Sequence, residues 1–136
     1  MSNESKTYRI PDQISDGKRN IHALESYSLK RSILEMIRAN AIEIMDYLEK
    51  IIKAKSHVTA NIRQVYEWCD DDLKTLLLNN PEAKEQIDAI LSMLNQFLKQ
   101  DNVNLTQRLN WIREIRKNFE KLYDIVKQIP SKTSAS

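Results

Sequence analysis

The sequence predicts an all-α protein, an antiparallel bundle of about four long amphipathic helices. Glycine occurs once in 136 residues and proline three times, so the chain lacks the residues that supply the tight turns of a β-rich fold. No glycine or proline interrupts residues 18–80. Over that stretch apolar residues recur at steps of three and four, which is the period of a buried helix face.

The chain has the length of one domain. We expect residues 1–19, which are polar and contain Pro11 and Gly17, to form a flexible N-terminal arm. Residues 20–129 form the predicted helical-bundle domain. Because Pro130 cannot continue a helix, residues 130–136 are predicted to be a disordered C-terminal tail.

The first helix is predicted near 20–55, with a broad apolar stripe. Its core seam is expected at Leu34, Ile37, Ile44, Leu48 and Ile51. Five of the six residues at 56–61 are weak helix formers, and the segment favours a turn. The apolar spacing nevertheless continues through them, with Lys55 in the one poor position. One helix from about 20 to 79, followed by a helical hairpin in a three-helix, dimeric protein, is therefore the alternative.

Three further helices follow. The second is predicted near 58–79, with Cys69 on its apolar stripe. The third, near 81–100, begins at a helix-start signal, since Asn80 suits the cap and Pro81 the first helical position. The fourth, near 105–129, begins at Asn104, which has capping-box spacing to Gln107. Connections this short favour antiparallel neighbours.

Charge is unevenly distributed. Residues 57–103 carry four Lys/Arg against eight Asp/Glu, and residues 104–136 carry seven against three. We interpret this as acidic and basic helices that face each other within one bundle and help to set its topology.

The sequence contains no recognisable catalytic motif, so we predict that the protein is not an enzyme and has no cofactor, metal site or small-molecule substrate. Asp70, Asp71 and Asp72 are consecutive on a helix and point about 100° apart, which is typical of a solvated face. His22 and His57 lack the Glu-x-x-His pattern of di-iron bundles. Cys69 is expected to be a buried, unreactive thiol.

A single cysteine, no signal-peptide layout at the N-terminus and no long apolar run predict a soluble, cytoplasmic protein that does not enter membranes.

The leading functional hypothesis is a non-catalytic bundle that acts through protein–protein contacts, as an adaptor, assembly, regulatory or small structural subunit. The expected partner is a second copy of the chain, because a first helix longer than its neighbours would leave apolar surface to cover. Tyr27, Trp68 and Trp111 are the candidate partner-binding residues, since aromatic side chains are enriched at interfaces.

The alternative hypothesis is a nucleic-acid-binding accessory protein that uses the basic last helix and a lysine cluster. Its candidate residues are Lys50, Lys53, Lys55, Arg108, Arg113, Arg116, Lys117 and Lys121.

Overall fold

The computed structural model describes Leu24, residues 27–100 and residues 103–131. The predicted arm at 1–19, the expected helical residues before Tyr27 other than Leu24, and residues 132–136 of the predicted tail lie outside the described residues. Within the described part, four long helices account for nearly all of the chain and there is no strand. The prediction of an all-α fold is confirmed.

Helix α1 is continuous from Tyr27 to Lys50. It consists of an α-helical segment at Tyr27–Ile37, a π-helical turn at Arg38–Ile42 and a second α-helical segment at Glu43–Lys50. Helix α2 has the same construction, with α-helix at Lys55–Trp68, a π-helical turn at Cys69–Leu73 and α-helix at Lys74–Leu76. Helices α3 (Pro81–Lys99) and α4 (Leu105–Gln128) are α-helical throughout.

The two π-helical turns follow from the spacing of the inward residues. In α1 the buried positions Ile33, Ile37, Ala41 and Met45 are separated by three consecutive steps of four residues, and in α2 Val65, Cys69, Leu73 and Leu77 repeat this pattern. An α-helix has about 3.6 residues per turn, so repeated steps of four rotate away from the core. A π turn accommodates one extra residue and returns the stripe to it.

The turn between α1 and α2 lies at residues 51–54, where Ile51 (ψ 22°) and Ala54 (ψ 76°) leave the helical region. The predicted break is confirmed, but it comes before the expected 56–61, and the alternative of one helix over 20–79 is wrong. Ile52 and Val58 are both buried, whereas Lys55, which would link them on one face of a continuous helix, is exposed. The reversal at residues 51–54 lets both apolar side chains reach the core.

Residues 56–61 are helical despite their weak propensities. They form the first turns of α2, and the side chain of Asn61 donates a hydrogen bond to the carbonyl of His57 at 2.8 Å. Tertiary burial of Val58 and Ile62 outweighs propensity differences of a few tenths of a kcal/mol per residue.

Both predicted helix starts are confirmed. The amide of Ala83 donates to Asn80 Oδ1 at 2.9 Å, with Pro81 in the first turn. At α4 the amide of Gln107 donates to Asn104 Oδ1 at 2.8 Å, and the amide of Asn104 donates back to Gln107 Oε1 at 3.3 Å. Each cap satisfies amides that the first helical turn leaves without intrahelical partners.

Helix α4 packs against both α1 and α3, and α3 also packs against α2. Helices α1 and α2 approach one another less closely than these pairs. The buried apolar residues of all four helices form one core, in which Phe119, Ile62, Met45 and Ile90 are inaccessible to solvent.

The seam of α1 is displaced from the expected one. Ile37 and Leu48 are buried as predicted, whereas Leu34, Ile44 and Ile51 are only half-buried. Ile33, Met45 and Ile52 occupy the centre of the stripe instead. The π turn accounts for the displacement in the second half of α1, because it inserts one residue after Ile37 and so brings Met45 and Ile52 to the core in place of Ile44 and Ile51.

The expected overhang of the first helix is not found in the described residues, where α1 and α4 have equal lengths. Leu24 is not helical. Its amide donates to the carbonyl of Pro130 at 2.9 Å, and it forms an isolated bridge with Ser131. Leu24 and Ser131 are both buried, so this part of the predicted tail is docked against the bundle.

Ion pairs join neighbouring helices, although the pairing differs from the expectation that the basic last helix faces acidic residues of 57–103. Arg116 of α4 donates to Asp46 at 2.6 Å and to Glu49 at 3.3 Å, and Arg113 donates to Glu49 at 2.9 Å. Both acids belong to α1. The α2–α3 pair of Lys74 and Asp88, at 4.0 Å, lies within the acidic segment itself. The net charge of a whole segment therefore does not predict which charged residues pair between helices.

Removal of the exposed residue Ala39 from the π turn of α1 tests the origin of that turn. After the deletion the buried positions recur at steps of three and four, so α1 becomes a regular α-helix with its stripe intact. We expect the free energy of unfolding, measured by urea denaturation, to stay within about 1 kcal/mol of the parent value.

Deletion of the exposed Lys117 in α4 is the matched control. It creates three consecutive steps of three and turns Phe119 and Leu122 away from the core, so a loss of at least about 3 kcal/mol is expected. Equal losses for the two deletions would contradict this account of the π turns.

Candidate functional site

The outward face of α3 carries no charge over nearly three turns. Residues 89–98 contain no Asp, Glu, Lys or Arg, in a chain of which 29% is charged. The exposed positions in this run are Ala89, Ser92 and Gln96. The outer faces of the other helices carry charged residues, so this surface differs from them. Because charged residues are depleted at the centres of protein interfaces, the uncharged run has the composition of an interface centre.

A groove lies where this face meets α4. It has a volume of about 410 Å³ and is lined by Met93, Gln96, Asn110, Trp111 and Glu114. Trp111 is half-buried, and its ring meets the edge of Phe97 with centroids 6.4 Å apart and planes at 60°. This aromatic contact is of the edge-to-face kind and supports the Trp111 ring at the groove. The surface combines an apolar floor with the amide side chains of Gln96 and Asn110 and the carboxylate of Glu114. We refer to the outward residues of α3 at 89–98 and this groove together as the α3–α4 face.

Trp68 occupies a different part of the molecule. It lines a groove of about 220 Å³ between α1 and α2 with Asn40, Ile44, Asn61, Gln64 and Val65. The structure thus places the two predicted tryptophan anchors on different helix pairs. Tyr27, the third candidate, begins α1, and its side chain lies outside the described part of the structure.

Part of the predicted basic surface comes together at one end of the bundle. Lys50, Lys53 and Lys55 are exposed around the α1–α2 turn, and Arg108 reaches the same turn from α4. Lys50 also lies in the last turn of a helix, where a positive charge interacts favourably with the helix dipole.

Arg108 holds two connections together. Its Nη1 donates to the carbonyl of Ile52 at 2.9 Å, and its Nη2 donates to the carbonyl of Val103 at 3.5 Å. Carbonyls beyond the end of a helix lack intrahelical partners, and the guanidinium supplies one to each connection. The sequence analysis did not anticipate this structural use of Arg108.

The remaining basic candidates do not extend this cluster into one stripe. Arg113 and Arg116 pair with Glu49 and Asp46, while Lys117 and Lys121 are exposed further along α4. The pKa of Arg116 is raised, chiefly because its guanidinium donates a hydrogen bond to Asp46, which outweighs the opposing effect of burial. These two arginines therefore hold α4 against α1.

Of the other residues considered for chemistry, those that the structure describes occupy the positions predicted for them, and His22 lies outside the described residues. Cys69 is buried, and burial, aided by the nearby charge of Asp70, raises the pKa of its thiol. Asp70, Asp71 and Asp72 are exposed, and Asp70 pairs with Lys74 at 3.8 Å. His57 is exposed in the first turn of α2. Across the described ranges, no three His, Cys, Asp or Glu side chains are grouped so as to hold a metal ion.

Gln86 is a polar core residue that the sequence analysis did not anticipate. It is 8% exposed, and its Nε2 donates to the backbone oxygen of Asn118 at 3.0 Å and to Asn118 Oδ1 at 3.1 Å. The burial of Gln86 could have been predicted from its position three residues after Ala83 and four before Ile90, on the inward face of α3. The uncharged run at 89–98 could likewise be read from the sequence, whereas the contact of its residues Met93 and Gln96 with the Trp111 groove could not.

Comparison with protein-family models, with curated proteins and with solved structures finds no match for this chain. None of the helices in the described part of the chain combines the length and apolarity needed to cross a membrane.

Substitution of Arg108 by Met tests its structural role. Met preserves much of the aliphatic length but leaves the carbonyls of Ile52 and Val103 without the guanidinium. Hydrogen bonds from a charged donor contribute about 1.5–3 kcal/mol, so urea denaturation is expected to show a loss in that range.

The matched control is Arg63→Met on the exposed face of α2, for which we expect a change within about 0.5 kcal/mol. If Arg108→Met proves as mild as the control, the two hydrogen bonds do not stabilise the fold.

Proposed function

We propose that this protein is a non-catalytic helical bundle that acts through protein–protein contacts, and that the α3–α4 face is its binding surface. The role would be that of an adaptor, assembly, regulatory or small structural subunit. A cytoplasmic location and a second copy as the partner, both expected from the sequence, stay predictions.

The uncharged run at 89–98 beside the Trp111 groove is the observation that carries the proposal. Association removes water from the surfaces that meet, and an unpaired charge in the contact costs several kcal/mol. The α3 side of the α3–α4 face presents Ala89, Ser92 and Gln96, for which that cost is small; the charged lining residue, Glu114, belongs to α4. Met93 and Trp111 supply apolar contact area, and both residue types are enriched at interfaces.

The Trp68 groove supports the proposal less strongly. It has about half the volume of the Trp111 groove, and neither α1 nor α2 carries an uncharged run as long as residues 89–98. We therefore assign partner binding to Trp111 and its neighbours rather than to Trp68.

Affinity capture from the native source with Ser92→Arg tests the assignment. Ser92 is exposed, so the arginine has room on the folded monomer but places a long charged side chain at the centre of the face. Proteins retained by the parent chain are expected to be lost, because burying an unpaired charge costs more than about 2 kcal/mol.

Ser32→Arg on the exposed face of α1 is the matched control and should retain the same proteins as the parent chain. Circular dichroism of both variants checks that the fold is unchanged. Retention of the full set by Ser92→Arg would show that binding occurs elsewhere or that there is no such binding.

The second candidate function, binding of nucleic acid, is favoured by one observation. Lys50, Lys53 and Lys55 are gathered at the end of the bundle that contains the α1–α2 turn. The structural engagement of Arg108, Arg113 and Arg116 reduces the positive charge available to phosphates, so this candidate ranks second.

A gel-shift titration distinguishes the two functions. If the lysines bind phosphates, Lys53→Glu and Lys55→Glu together should weaken binding at low salt, and the parent affinity should fall steeply between about 50 and 200 mM salt. Failure of the parent chain to shift either DNA or RNA at about 50 mM salt removes this candidate.

A further inference from the structure

We propose that the partner of the α3–α4 face is a second copy of this chain, docked with its α3 antiparallel to the first and centred on Ser92. This inference rests on the proposed function, since it names the occupant of the same surface. It specifies a contact register, which makes it testable residue by residue.

The outward side of α3 carries a regular seam. Glu85, Ala89, Ser92, Gln96 and Lys99 are all exposed, and they succeed one another at steps of four, three, four and three residues. This is the spacing with which one helix meets another along a shared line. Because α3 rises about 1.5 Å per residue, the seam extends over about 21 Å.

The charge pattern of the seam selects the antiparallel direction. Glu85 lies at one end, Lys99 lies at the other, and the three positions between them are uncharged. In an antiparallel pair centred on Ser92, Glu85 of each copy faces Lys99 of the other. A parallel pair would instead oppose glutamate to glutamate and lysine to lysine, which is unfavourable.

The middle of the seam permits close approach. Ser92 lies at the two-fold axis and meets Ser92 of the second copy, while Ala89 faces Gln96 on each side. The short side chains of Ala89 and Ser92 let the helix backbones come together at the centre of the contact without displacing large groups. Met93 and Trp111 lie beside the seam and would be covered by the second copy, so apolar burial supplies the attraction that the seam itself lacks.

Charge reversal at the ends of the seam tests the register. Sedimentation velocity should show the parent chain, of 16.0 kDa, in a concentration-dependent equilibrium with a species of twice that mass. Glu85→Lys alone opposes two lysines at each end, and Lys99→Glu alone opposes two glutamates. Each substitution should raise the dissociation constant by about tenfold or more.

Two recoveries are specific to the proposed geometry. The double variant Glu85→Lys/Lys99→Glu exchanges the charges and should restore dimerisation to within about threefold of the parent. An equimolar mixture of the two single variants should also dimerise, because in the mixed pair every lysine again faces a glutamate. Glu67→Lys on α2 is the matched control and should leave the equilibrium unchanged.

The possible failures are distinguishable. A parent chain that remains monomeric at about 100 µM overturns the second copy as partner, while capture with Ser92→Arg and Ser32→Arg still tests the α3–α4 face. A dimer that tolerates both single reversals overturns the seam, since the copies then meet elsewhere. Single variants that dissociate without recovery in the mixture overturn the antiparallel register.

Discussion

The shared core is the constraint on which the rest of this structure depends, because each helix must present an apolar residue to it at every turn. Phe119, which is fully buried, contributes about 2–3 kcal/mol through removal of its surface from water. An exposed ion pair contributes at most about 1 kcal/mol. Where the inward residues recur every four positions, the backbone therefore departs from regular α-helix and the stripe stays buried. The π turns of α1 and α2 are the visible result of this ranking.

Burial alone does not determine how helices of similar shape are arranged. Leucine and isoleucine stripes tolerate rotation and sliding, whereas a hydrogen bond requires two atoms within about 3 Å. Arg116 with Asp46, Gln86 with Asn118, and Arg108 with the carbonyl of Ile52 each join residues that are distant in sequence. A buried Gln86 that loses Asn118 would pay the cost of an unsatisfied amide, about 1–3 kcal/mol. These contacts therefore disfavour alternative registers of α4 against α1 and α3 more than they add stability.

Much of this fold could be predicted from spacing and capping chemistry. The starts of α3 and α4 were predictable because Asn80 and Asn104 act through neighbours three residues away. The α1–α2 turn was misplaced because propensity at 56–61 is a weak local effect, and the deciding fact, burial of both Ile52 and Val58, is tertiary. The seam of α1 was displaced because Leu34 and Ile44 are as apolar as Ile33 and Met45, and the rotation at the π turn, which brings Met45 rather than Ile44 to the core, is not visible in the composition of the stripe. Prediction of the groove at Trp111 would have required knowledge of which helices are adjacent, because Met93 and Trp111 belong to different helices.

The burial of apolar side chains in the core also explains why the α3–α4 face differs from the rest of the surface. Nearly every large apolar side chain in the described residues is committed to the core, and Tyr47, Leu78 and Leu105 are the large hydrophobic residues found exposed there. They lie on α1, in the α2–α3 connection and at the start of α4. A surface of this kind cannot bind by a broad apolar area. Binding must instead depend on a place where desolvation costs little and one large side chain is within reach, and the uncharged run of α3 beside Trp111 has both properties. Its small exposed residues limit the apolar area gained, so in the proposed dimer Met93 and Trp111 would supply the attraction and the charges at the two ends would set the register.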